Sequence, residues 1–152
     1  MTGGFVMFGE LMSGVVPFLT DGPDTCEVSA AVAGGQIVVP DGTTGKVKPS
    51  VGGDTTVLGV ALTDAQPAGS APTNPINTAW PDPYTSVADD VDIPVTYAAA
   101  ATYGQRLKAA ANGQVTPWVS ASDTDYRLII GRCTQPAGVA AGAVGRARID
   151  VQ

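Results

Sequence analysis

Apolar residues fall on alternate positions in several short stretches of the chain, the period of a half-buried β-strand. Cys26, Val28, Ala30 and Val32 alternate with Glu27, Ser29 and Ala31. Val91, Ile93, Val95 and Tyr97 do the same, with Asp89, Asp90 and Asp92 on the outer side. A last strand, Ala147, Ile149 and Val151 set between Arg146, Arg148 and Asp150, carries one charged face. Gln36 to Val39 forms a short apolar run, ended by the turn residues Pro40-Asp41-Gly42. Lys46-Val47-Lys48 holds one apolar residue between two charges, as an edge strand does. The best strand of the first half is expected over residues 55–62, where Gly59 marks a bulge or a close backbone approach. Residues 126–133 form its twin. Asn112-Gly113 is the strongest hairpin signal, and the run from Leu107 to Ala111 fits either one helical turn or a strand.

The elements also repeat. G-Q-I-V-V-P from Gly35, G-K-V-K-P from Gly45, V-L-G-V-A-L from Val57 and Q-P-A-G from Gln66 occur in that order. They return as G-Q-R-L-K-A from Gly104, G-Q-V-T-P from Gly113, I-I-G-R-C-T from Ile129 and Q-P-A-G from Gln135. A long period present only twice predicts an internally duplicated β-unit, not a solenoid, which needs about three repeats. Each echoed element is a turn glycine or a half-buried aliphatic run. What was duplicated is scaffold.

Two segments stand outside the repeat. Residues 1–25 read as an arm, in which Gly3, Gly4, Gly9, Gly14 and Pro17 break any helical period. Its apolar residues Phe5, Met7, Phe8, Leu11 and Val15 need a surface to cover them, on this chain or on a partner. The apolar start lacks a positive leader and contains Glu10, which argues against a signal peptide. Residues 26–152 then form a single β-domain, interrupted by a proline-rich insertion loop at about 67–88. That loop carries Pro67, Pro72, Pro75, Pro81 and Pro83 together with Trp80 and Tyr84. Ordered loops of this length are usually functional, and Trp80 and Tyr84 are the expected partner anchors.

Composition narrows the function. Charged residues are 14%, against roughly 25% in an average soluble domain, while Gly (19) and Pro (12) are raised. That mixture suits many short strands and tight turns on a body that faces other protein. The net charge is −6, and the first 45 residues hold acids but no Lys or Arg, which argues against a nucleic-acid partner. No run of about 18 apolar residues is present, so no membrane span is expected. There is no histidine, which removes Ser-His-Asp and Cys-His catalysis and histidine metal sites. Cys26 and Cys133 read as free thiols buried like small apolar residues, with a disulfide left open. The acidic cluster Asp89, Asp90 and Asp92 reads as the solvated face of a strand, and the glycine-rich pieces match no phosphate loop. The reading is a non-enzyme with no cofactor and no metal.

One resemblance joins these pieces. Ala33-Gly34-Gly35-Gln36-Ile37-Val38-Val39, Val57-Leu58-Gly59-Val60-Ala61-Leu62-Thr63-Asp64-Ala65, Val91-Asp92-Ile93-Pro94-Val95, Ala110-Ala111-Asn112-Gly113-Gln114-Val115 and Ile129-Ile130-Gly131-Arg132 follow one another in order. Over residues 30–151 the chain resembles the head decoration, or capsid cement, proteins of tailed bacteriophages. The resemblance implies an all-β fold, a compact β-barrel or β-sandwich with at most one short helix. It also implies a homotrimer on the outside of the virion capsid, bound to the major capsid protein and assembled in the host cytoplasm. The arm and the proline-rich loop depart from that pattern and are the expected capsid contacts. The alternative reading is a phage tail, baseplate or surface-adhesion β-domain that binds carbohydrate or protein.

Overall fold

The computed structural model describes residues 22–72, 76 and 80–151. The first half supplies β1 (Asp24–Glu27), β2 (Ile37–Pro40), β3 (Val47–Pro49), β4 (Gly59–Ala61) and β5 (Tyr84–Ala88). They form one five-stranded sheet in the order β1-β5-β4-β2-β3. The second half supplies β6 (Val91–Thr96), β7 (Arg106–Ala109), β8 (Val115–Pro117), β9 (Ile129–Cys133) and β10 (Val144–Ile149). Their sheet has the order β6-β10-β9-β7-β8, and every strand pairing in both sheets is antiparallel. Adding five to each strand number turns the first order into the second. Each half of the sequence is therefore its own sheet, and the protein is a sandwich of two like units, not a closed barrel. The only helical element among the described residues is one 3-10 turn, Tyr126–Leu128.

The duplication extends to single hydrogen bonds. Gln36 Oε1 accepts from the Ala33 N–H at 2.8 Å, and Gln105 Oε1 accepts from the Thr102 N–H at 3.1 Å. Gly35 N donates to Ala61 O, as Gly104 N does to Cys133 O, and both glycines have positive φ. The parallel bridge Val28–Val47 is matched by Tyr97–Val115, and the antiparallel bridge Val32–Ala65 by Ala101–Val139. The glutamine of the G-Q motif thus tightens the turn before β2 and β7, which explains why the motif occurs twice.

Each sheet closes a core against its own long connections. In the first unit this is Val28, Val32, Val38, Val47, Ala61, Ala65 and Val87. The second unit places Tyr97, Ala101, Leu107, Val115, Cys133, Val139 and Ala147 at the equivalent positions. The other face of the first sheet, with Ile37, Val39, Val57 and Val60, joins the second unit's core. Three hydrogen bonds fix that junction. Ile37 N donates to Gly113 O at 2.8 Å, Gly113 N to Ser50 O at 3.2 Å, and the Ser50 hydroxyl to Ala110 O at 2.6 Å. At the hairpin between β7 and β8, Asn112 and Gly113 both have positive φ, as the Asn-Gly signal requires.

Several expected boundaries move. The alternation from Cys26 to Val32 is not one strand, since β1 ends at Glu27 and Val28 and Val32 make isolated bridges under the sheet. The run 55–62 reduces to Gly59–Ala61, and the turn ahead of it is closed by Asp54, which accepts from the Val51 and Gly52 N–H groups. Of residues 107–111, Leu107 to Ala109 are strand within β7, not helix, and Ala111 makes an isolated bridge to Val51. The last five residues of the expected 67–88 loop are β5, where Thr85 and Val87 point inward on alternate positions.

Candidate interaction surfaces

Of the expected anchors, Phe5, Met7, Phe8, Leu11 and Val15 lie outside the described residues. Trp80 is 68% exposed, beside the entry to β5. Tyr84 opens β5 opposite Glu27 of β1 and is half exposed. Asp82 sets its position by accepting from the Tyr84 N–H at 2.9 Å. An exposed indole beside the entry to a strand is suited to burial against another surface.

The second tryptophan behaves in the opposite way. Trp118 is buried, stacks on Tyr126 with ring centroids 5.2 Å apart, and donates from Nε1 to Asp125 O at 3.2 Å. It stands where the first unit has Ser50, since Trp118 N donates to Arg106 O as Ser50 N does to Ile37 O. Asp123 fastens the loop beyond it, bonding Lys108 Nζ at 2.6 Å and the Val119 N–H at 2.8 Å. Those two bonds, the lysine first, hold the Asp123 carboxyl below the ordinary carboxylate range.

The acidic cluster is not merely solvated. Asp90 pairs with Arg148, and Asp92 accepts from the Thr134 hydroxyl at 2.8 Å and faces Arg146 at 3.8 Å. Asp89 accepts from the Val151 N–H at 2.8 Å, tying the end of the chain to the turn between the units. The alternating pattern identified the strand but not the arginines of β10 as its partners.

A basic strip was missed altogether. Strand register sets Arg106 opposite Arg132, and Arg132 opposite Arg148, so three arginines lie abreast on one face of the second sheet. The equivalent ladder of the first sheet is Ile37–Val60–Ala88, all buried. The signal was present in the repeat itself, where G-Q-I faces G-Q-R and the valine of G-V-A faces the arginine of G-R-C. A groove of about 430 Å³ is lined by the three arginines together with Ile129, Gly131 and Asp150.

Both cysteines are free, Cys133 buried and Cys26 half-buried, with the Cys26 thiol pushed up by burial and then by Asp24. Among the described residues no group of three or more His, Cys, Asp or Glu is placed to share a metal ion. No helix among them is long and apolar enough to cross a membrane.

No family model matches the chain, and no curated sequence does. A solved structure, the head fiber gp8.5 N base of bacteriophage phi29, is similar in fold, with a TM-score of 0.55 at 13% identity. The superposition covers 84% of this chain and 92% of that one.

Proposed function

We propose that the protein is a structural component of a bacteriophage head, attached to the outside of the capsid and not an enzyme. The observation that carries the reading is the fold likeness to a phage head fiber base, which extends over nearly the whole of both chains. The ordered motifs that resemble head decoration proteins point the same way, on a sequence that no family model matches. The finer reading is a cement protein that binds the major capsid protein as a homotrimer and stabilises the head. Trp80, Tyr84 and the apolar arm residues Phe5, Met7, Phe8, Leu11 and Val15 are the proposed contacts. The mechanism is burial, not chemistry. Each copy contributes only the surplus of its interface over the cost of association, and linked copies on a symmetric site gain effective concentration.

The test is cosedimentation of the purified protein with undecorated heads. Saturable binding that raises the temperature at which heads release DNA supports the reading. Absence of binding at micromolar protein overturns it, and retention on a glycan surface instead would favour the adhesion alternative.

A further inference from the structure

Eight cations occur in the chain, and six of them sit in ion pairs: Lys46–Glu27, Lys48–Asp41, Lys108–Asp123, Arg127–Asp125, Arg146–Asp92 and Arg148–Asp90. The two left are Arg106 and Arg132, which face each other across β7 and β9. Both side chains are exposed, and no carboxylate among the described residues lies within ion-pair distance of either. Like charges directly opposite on a sheet are destabilising, and on the same face Arg148 is answered by Asp90 and stands opposite Asp92, whereas Arg106 and Arg132 have no such partner. The same sheet face in the first unit is already an interface, since Ile37 and Val60 pack on the second unit.

The anions are distributed in the opposite sense. Up to Ala88 the chain carries eight carboxylates against two lysines, and from Asp89 it carries six of each. The whole net charge of −6 therefore belongs to the first half. On that half Asp24, Asp54, Asp64 and Asp82 have no cation within ion-pair distance among the described residues. We propose that the Arg106–Arg132 strip is one side of a head-to-tail contact between copies of this chain, occupied by carboxylates on the first unit of a second copy.

Guanidinium forks match carboxylates in bidentate geometry, and two side by side can share one acidic segment. The groove, lined also by Ile129, Gly131 and Asp150, leaves room for such a segment. A contact between unlike surfaces repeats, and it closes into a ring where the rotation permits. The inference rests on the self-association in the function proposed above and is independent of capsid attachment.

The test is the mass of the full chain in solution, by sedimentation velocity, for the native protein and for Arg106→Glu/Arg132→Glu. The native protein should associate at low salt and dissociate as NaCl is raised, because exposed charge pairs are screened. The double variant should associate at least about tenfold more weakly, with its thermal transition unchanged. Arg106→Ala/Arg132→Ala serves if the charge reversal disturbs folding. A native protein that stays monomeric overturns the contact and the self-association together. An oligomer that survives both the variant and 1 M salt overturns only this contact, and leaves the trimer reading standing.

Discussion

Gly59 and Gly131 occupy the same point in the two units, and a Cβ on either would run into a carbonyl oxygen of the neighbouring strand. The oxygen is that of Ala88 in the first unit and that of Arg148 in the second. Gly59 also has φ +152, a conformation that side chains rarely adopt. The glycine in both echoed strands is therefore required by the close approach of β4 to β5 and of β9 to β10. Gly131→Ala should destabilise by about 1–3 kcal/mol through overpacking, and Gly59→Ala by more, because strain at the backbone adds to the clash. Urea midpoints of the two variants measure this. Native-like midpoints would show that the strands can part without cost.

Tyr97 gives a second prediction, on alkaline stability. Its side chain is fully buried at the position that Val28 holds in the first unit, and its hydroxyl donates to Arg146 O at 2.8 Å. Burial first, then hydrogen bonding to Cys133, pushes the phenol well above its ordinary range. A raised native pKa means that the native state holds its proton where the unfolded chain has lost it. The stabilisation is complete below about pH 10 and falls as the pH rises beyond that. Tyr97→Phe should flatten this alkaline limb in thermal melts recorded from pH 8 to 11. At neutral pH the variant should lose about 0.5–1 kcal/mol, the low end for a hydrogen bond, because the Thr134 N–H still reaches the same carbonyl at 3.1 Å.

The Asp123 cap governs the acid side. Its carboxyl is held below the ordinary range by Lys108 and then by the Val119 N–H, so its contribution is present above about pH 4 and lost as the pH falls further. Asp123→Asn should lower the melting temperature by a few degrees at pH 7 and weaken its fall below pH 4. In a Trp80→Phe background the remaining indole, Trp118, should shift its emission to the red as the loop loosens. An unshifted spectrum would show that the stack on Tyr126 holds the loop without the ion pair.

What could be read from the sequence follows from how local each feature is. The two sheets were legible because the repeat carries its own turn chemistry: Gly35 and Gly104 need positive φ, and Asn112-Gly113 closes its hairpin within four residues. The bounds of β1 and β4 were not, since alternation at Val28 and Val32 comes from packing under the sheet and not from pairing within it. Trp80 stood out in a proline-rich loop. Arg106 and Arg132 did not, because 25 residues separate them in the chain and only strand register brings them together. The partners of Asp90 and Asp92 were hidden for the same reason.

Trp80 and Tyr84 allow the interface to be separated from the fold. Trp80 is 68% exposed and precedes β5, so Trp80→Ala removes apolar surface from solvent and no core contact. Its stability should stay within about 0.5 kcal/mol of the native protein. Tyr84 lies in the ladder opposite Glu27, but its ring is half exposed, so Tyr84→Ala should cost about 0.2–1 kcal/mol through the lost cross-strand pair. If these residues seat the protein on a phage head, each variant should decorate undecorated heads with at least about tenfold lower affinity, as truncation of a buried aromatic anchor does. Titration of heads with labelled protein, read as occupancy per head, measures the loss. Native occupancy by the double variant would move the contact elsewhere, to the apolar arm or to another face of the two sheets.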